Sequence, residues 1–301
     1  MKPRDLGLLF VLAALWGASF IFMRVAAPVL GAFPVVAARA TVSGVLLLVY
    51  ALVIGQQFDL RQRWRQFLLI GLLNNAIPHT LIAAAQIHLS ASLAAMLNAT
   101  TPIFSAIFAA LFLSDRLTGK KLLGLLLGMV GVAITVGWQP VPLEGPAQTA
   151  ILMMLGATCS YGLAVVYSKM AFQGVSPLVT SVGQLLSAAV MVMPFVVANP
   201  PLQPLTLTVA LAVLGLAVLS TALAYLLYFT LIRNAGPTPA ASVTLLIPVF
   251  TSLWQALLQI DQLYLNEIIG YGVILGGLVL ILGLNAQSFF NSAPQSAAKT
   301  G

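Results

Sequence analysis

The chain has 301 residues, of which 60% are hydrophobic and 6% charged, and its formal net charge is +7. Soluble domains carry about 25% charged residues, so this chain has too few to cover a water-facing surface, and a mean hydropathy of +1.05 places it in a bilayer. The positive charge does not point to nucleic acid, because Lys and Arg sit in short hydrophilic breaks between long apolar runs, which is the pattern of a topology signal.

The start, Met1-Lys-Pro-Arg4 followed by an apolar run, has the charge pattern of a signal peptide. The run from Leu6 to Met23 is longer than a signal h-region. About 20 helical residues cross the hydrocarbon core, so this run is predicted to be the first membrane helix. Nine more follow, giving spans at 6–27, 33–54, 66–87, 91–113, 121–138, 147–171, 178–198, 206–232, 239–260 and 267–287. Turn residues or charges mark the breaks: Pro28 to Pro34, Asp59 to Arg65, Ser114 to Lys121, Gln139 to Pro146, Gly174 to Pro177, Asn199 to Pro204, Asn234 to Pro239 and Asp261 to Glu267. The single cysteine, Cys159, lies in an apolar run and reads as a small buried hydrophobe. The Ser/Ala/Gln-rich tail, 291–301, is expected to be disordered.

Basic residues set the expected orientation. With the N-terminus inside, Lys2, Arg4, Arg61, Arg63, Arg65, Arg116, Lys120, Lys121, Lys169, Arg233 and Lys299 all fall in cytoplasmic segments. The outer loops hold Glu144, Asp261 and Glu267 but no Lys or Arg. This predicts both termini in the cytoplasm, as in a multi-pass protein of the cytoplasmic (inner) membrane.

The stretch Ala91 to Lys121 returns 146 residues later. Pro102-Ile-Phe-Ser105 falls on Pro248-Val-Phe-Thr251, Asp115 on Asp261, Gly124 on Gly270 and Gly131 on Gly277. Trp16-Gly-Ala-Ser-Phe lines up with Tyr161-Gly-Leu-Ala-Val. The expected architecture is therefore all-α, with ten transmembrane helices in two five-helix repeats, 1–146 and 147–290. An odd helix number inverts the second copy. Arg116, Lys120 and Lys121 become Gln262, Asn266 and Glu267 in that copy, as befits a hairpin moved to the outer side. Inverted repeats are a transporter design, with one half rocking against the other about a site near the midplane.

The Trp16-Gly-Ala-Ser-Phe start, the proline inside the fourth helix, the Leu111-Phe-Leu-Ser-Asp-Arg-Leu-Thr118 end and the Gly-rich fifth helix carry a likeness to known proteins. In these features the chain resembles the drug/metabolite transporter superfamily, within it the EamA family, and there the YddG-type amino-acid exporters. The likeness runs from residue 5 to about 287. It departs at Gln259-Ile-Asp261-Gln262, where the family often has a Leu-Gly-Glu-like hairpin. The resemblance implies a basket of helices one to four and six to nine around a central cavity, with helices five and ten outside as supports. It implies export of amino acids, such as aromatic ones, Thr or Met, or of similar small metabolites.

No nucleophile elbow, zinc-protease signature or ATP-binding loop is present, so no catalytic set is assigned. His79 and His88 lack metal-ligand spacing, and neither a metal nor a cofactor is expected. Polar residues inside spans must face a cavity or a partner. The 146-residue offset pairs Asn74 and Asn75 with Ser220 and Thr221, His79 with Tyr225 and Asn98 with Thr244, and the 145-residue alignment of the Trp16-Gly start pairs Trp16 with Tyr161. The candidate substrate-binding set is Trp16, Asn74, Asn75, His79, Asn98, Thr101, Tyr161, Thr221 and Tyr225. The alternative role for such residues is interhelical hydrogen bonding. Pro102 and Pro248 are the candidate gating hinges, each interrupting a helix in mid-span.

Arg39 is open to two readings, lining a cavity or snorkelling to the surface, whereas Arg24, nearer the interface, is expected to snorkel. His88 is expected in a solvated outer turn. The glycines of the fifth helix (Gly124, Gly128, Gly131) and tenth (Gly272, Gly276, Gly277) offer close-packing faces, with a dimer contact as the lesser alternative. No Asp or Glu falls inside the ten predicted spans, Glu267 standing at the outer edge of the tenth, which argues against exchange of lipophilic cations for protons. The expected partners are a small-molecule substrate and the lipid bilayer, with the chain a monomer or weak homodimer. A sugar, nucleotide sugar or drug as cargo, and a non-transporting membrane scaffold, are the competing readings.

Overall fold

The computed structural model describes residues 3–58, 60–113, 118–136, 145–259 and 264–282. All regular structure in them is helical, because a backbone segment in hydrocarbon must satisfy its N–H and C=O groups within itself. The helices form ten runs. They are α1 (Pro3–Leu30), α2 (Ala32–Val53), α3 (Leu60–Gly71, Leu72–Ala76 and Ile77–Ala85), α4 (Ala91–Asn98 and Thr101–Phe112), α5 (Gly119–Val136), α6 (Pro146–Ala171), α7 (Pro177–Ala198), α8 (Leu207–Ala217, Val218–Leu223 and Ala224–Ala235), α9 (Pro237–Ala241 and Val243–Leu257) and α10 (Leu265–Leu282). Eight of them, α1 to α4 and α6 to α9, are long and apolar enough to cross a membrane, and Leu265–Ile281 of α10 is a shorter apolar helix. Large apolar side chains such as Leu111, Val190 and Leu207 lie exposed on the outside of the bundle, where lipid in place of water removes their cost.

The break expected from Pro28 to Pro34 shrinks to one residue, Gly31, with φ 86°. Pro28 sits in the last turn of α1 and Pro34 in the first turn of α2. In a first turn the missing N–H has no intrahelical partner to lose. The first helix also begins earlier than expected and takes in Asp5, which is buried and accepts a hydrogen bond from Asn234 Nδ2 on α8 (2.9 Å). The expectation of no carboxylate inside a span is corrected at Asp5, where an amide partner at the helix end makes the burial tolerable, and Glu267 likewise falls in the first turn of α10. The hairpin residues 114–117 and 260–263, the 137–144 loop and the 291–301 tail lie outside the described residues.

Two helix pairs set the bundle. At Gly17 a Cβ would stand 2.7 Å from Phe250 Cβ, and at Gly162 one would stand 2.6 Å from Phe104 Cβ. The backbones of α1 and α9, and of α6 and α4, therefore touch at small residues. Thr251 Oγ1 donates to Gly17 O (3.2 Å) and Trp254 Nε1 to Ala14 O (2.9 Å), fastening α9 to α1. α5 and α10 pack on each other, with Gly124 and Gly131 against the α10 backbone at Gly277 and Ile274. Nothing lies within 4 Å of a Cβ at Gly272 or Gly276, so those two glycines take no part in this pairing.

Helix interruptions occur inside α3, α4, α8 and α9. Leu72–Ala76 and Val218–Leu223 are π-helical turns, and they begin 146 residues apart. Single π turns inside α-helices are frequent at functional sites. Pro102 does not bend a continuous helix; α4 breaks at Ala99 and Thr100, and Pro102 opens the next segment. Pro248 lies within Val243–Leu257, and α9 breaks earlier, at Ser242. The two prolines are thus not equivalent kinks, because one begins a helix, where proline costs little, and the other sits in its interior.

Candidate functional site

The interrupted helices surround a narrow cavity. Its volume is about 50 Å³. Its walls are aromatic at Trp16, Phe20, Tyr161, Tyr225 and Tyr228. Asn74, Gln86 and Asn98 supply amides, Ser19, Thr101 and Thr244 supply hydroxyls, and His79 and Arg39 complete the polar lining. Among the described residues no Asp or Glu lines it.

The first π turn holds the centre of the site. Asn74 Nδ2 and Asn75 Nδ2 both donate to Gln184 Oε1 on α7, each at 3.0 Å. Neighbouring side chains on a regular helix point about 100° apart, yet across this turn both reach one oxygen. With its amide so oriented, Asn75 presents Oδ1 to the hydroxyl of Tyr225, which donates over 2.8 Å. The same hydroxyl lies 3.4 Å from His79 Nε2. The His79 ring stands edge-on to Tyr161, centroids 6.1 Å apart, and Trp16 tilts against Tyr228 at 5.0 Å.

The second π turn holds the cation. Arg39 is only 5% exposed and lines the cavity, which decides between the two readings of it. Its Nε donates to Thr221 Oγ1 (2.6 Å) and its Nη2 points to Ser220 O (3.4 Å). Thr221 in turn donates to Leu216 O (2.7 Å), and Ser220 Oγ to Leu15 O on α1 (2.7 Å). Widened turns free carbonyls and aim hydroxyls, and here they give a buried guanidinium neutral acceptors. Arg24, by contrast, is exposed and donates to Gln86 O (2.7 Å) at the C-terminal end of α3. A cation there meets the negative end of the helix dipole. His88 lies exposed in the turn after α3, and Cys159 is half-buried.

Of the residues predicted for the site, Trp16, Asn74, His79, Asn98, Thr101, Tyr161 and Tyr225 line the cavity. Asn75 and Thr221 stand behind its wall, where they orient Tyr225 and hold Arg39. Sequence reasoning missed Gln184, which organises both asparagines, and Gln86, whose Nε2 donates to Phe20 O (3.2 Å). The signal was present for Gln184. It is a polar residue well inside an apolar run, and the argument that singled out Asn74 applied equally to it. Gln86 Oε1 and Asn98 Oδ1 are buried without a hydrogen-bond partner. Leaving a buried acceptor unpaired costs about 1–3 kcal/mol, and both oxygens belong to residues of the cavity lining.

Membrane-length helices close around a polar, aromatic-lined cavity, an arrangement that suits a membrane transporter. The chain belongs to the EamA-like transporter family, whose model matches residues 6–137 and, a second time, residues 148–283. It is similar to the uncharacterized inner membrane transporter YedA of Escherichia coli (strain K12), with 27% identity over 91% of this chain and 89% of that protein. It is likewise similar to the uncharacterized transporter YvbV of Bacillus subtilis (strain 168), at 25% identity over 100% of this chain and 96% of that one. A chloroplastic WAT1-related protein of Arabidopsis thaliana is 24% identical over 91% of this chain and 67% of its own length. A crystal structure at 19% identity has the same fold, with a TM-score of 0.75 over 93% of this chain and 98% of that chain.

Proposed function

We propose that the protein is a secondary transporter that exports neutral amino acids, or similarly small zwitterionic metabolites, across the cytoplasmic membrane by alternating access. The observation that carries this reading is the cavity itself. Amides and hydroxyls converge there with aromatic faces. Such a lining suits a small molecule with polar ends and an apolar side chain. The unpaired oxygens of Gln86 and Asn98 are acceptors for an ammonium group. Trp16, Tyr161 and Tyr228 offer their rings to the side chain.

The architecture that goes with this reading is ten membrane helices in two inverted five-helix repeats, with both termini cytoplasmic. The double family match, the π turns 146 residues apart and the paired glycine contacts at Gly17 and Gly162 support it. Transport then consists of rocking one repeat against the other, with the interruptions in α4 and α9 as the flexible points. The protein works as a monomer or a weak homodimer, with a small-molecule substrate as its partner inside the bilayer.

Reconstitution tests the substrate. Purified protein in liposomes is assayed for saturable flux of labelled Thr, Met, Phe and Trp. Flux of at least one is the expected result; none for any amino acid removes the substrate assignment, and counterflow with sugars and nucleotide sugars then decides the cargo. Cysteine labelling in a Cys159→Ala background tests orientation. Probes placed at Gln173 and at Gln203 should react from opposite sides of the membrane.

A further inference from the structure

We propose that Arg39 is the receptor for a carboxylate on the transported molecule, so that the cavity selects small monocarboxylates, amino acids among them. The proposal rests on the transport reading and narrows its substrate class.

A guanidinium keeps its charge in proteins and carries five N–H donors in a planar fork. Arg39 holds that fork at the cavity wall, almost fully buried. Its protein partners, Thr221 Oγ1 and Ser220 O, are both neutral, and they engage Nε and Nη2. No hydrogen bond from Nη1 to the protein is present among the described residues. The two carboxylates in those residues are engaged elsewhere. Asp5 accepts from Asn234 near the start of α1, and Glu267 accepts from the Tyr264 N–H at the start of α10. A buried charge is ordinarily paired, and a charge this deep in hydrocarbon marks a substrate pathway unless a partner explains it. The missing partner is an anion, and the cavity is the space from which it can approach.

The lining also sets the charge number and shape of that anion. Arg39 is the cavity's one Arg or Lys, so a dianion such as a phosphate ester would bring a second charge with no counterpart. A carboxylate carries one charge and matches the guanidinium fork in a planar, bidentate fashion. The orientation follows: the carboxylate sits against α2 and α8 at Arg39, and the rest of the molecule extends towards the amides of α3 and α4.

The test uses purified full-length protein in detergent and four probes that share one side chain: phenylalanine, phenylalaninamide, 3-phenylpropionate and 2-phenylethylamine. Thermal stability is recorded as a function of probe concentration. Phenylalanine and 3-phenylpropionate should raise the melting temperature saturably, and the two probes without a carboxylate should need at least tenfold higher concentration. Arg39→Gln should weaken the two carboxylates at least tenfold and leave 2-phenylethylamine unchanged, while Arg39→Lys, which keeps the charge, should retain part of the preference. If Arg39→Gln does not fold, the wild-type series and Arg39→Lys decide the matter. Equal responses to the carboxylate and the amine overturn the proposal. So does the lack of a saturable response to either carboxylate, or a matching shift from sodium chloride alone. The two readings separate cleanly in liposomes. Binding of 3-phenylpropionate without flux of any amino acid removes amino-acid export and leaves the carboxylate site standing. Undiminished phenylalanine flux in Arg39→Gln does the reverse.

Discussion

His79 on α3 and Tyr225 on α8 stand 146 positions apart in the chain and meet in space, with Tyr225 Oη 3.4 Å from His79 Nε2. The sequence repeat makes them counterparts. Both residues line the cavity, so their contact forms part of its wall.

His79→Ala is expected to lower transport several-fold at near-normal expression, because the ring is a small part of the packed bundle but a large part of the cavity wall. Liposome flux normalised to protein content measures this. Flux at the wild-type level would assign His79 to packing. The same assay run from pH 5 to 8 separates a proton-coupled carrier from a facilitator: coupling through His79 predicts a pH dependence that His79→Ala abolishes.

Tyr225→Phe keeps the ring and removes the hydroxyl that donates to Asn75 Oδ1. A buried acceptor then loses its donor, at a cost of about 1–3 kcal/mol. A lower melting temperature together with reduced flux is expected. An unchanged melting temperature would show that the Asn75 oxygen finds another donor.

Gln184→Leu, directly behind the cavity-lining Asn74, should impair transport more than any other substitution on α7. It leaves the Nδ2 groups of Asn74 and Asn75 without their shared acceptor, and freeing Asn75 releases Tyr225. Both a stability loss of about 2 kcal/mol or more and a loss of flux are expected. Gln184→Glu, which keeps an acceptor, should recover part of the flux; failure of that rescue would refute the orienting role.

Gly17→Ala and Gly162→Ala each place a Cβ within 2.7 Å of a neighbouring phenylalanine Cβ. Overpacking of this kind costs typically about 1–3 kcal/mol, and the two changes should behave alike, since they press apart corresponding helix pairs. Gly272→Ala, with nothing within 4 Å, serves as the control and should be neutral or slightly stabilising, since alanine is the better helix former. Denaturation midpoints in detergent compare the three.

The helices were legible because hydrocarbon leaves an apolar segment one way to satisfy its backbone, and their ends fell within a few residues of the turn residues and charges that mark them. Seven of the nine predicted site residues line one cavity for a related reason: a polar group in a membrane span needs a partner or a pocket. That rule could not separate lining from support. Asn75 and Thr221 satisfy it from behind the wall, and Gln184 meets it on a helix from which no residue was selected. Pro102 and Pro248 looked equivalent in the repeat, yet a proline interrupts or begins a helix according to where its neighbours let the chain turn.

Composition by itself determined that this chain is a helical membrane protein, because that property follows from transfer energies and is local to each segment. Where Arg39 points was decided by tertiary structure alone. A long side chain at that depth has two ways to lower its energy, and the choice depended on the hydroxyl and carbonyl that the π turn of α8, some 180 residues further along, brings to within hydrogen-bonding reach.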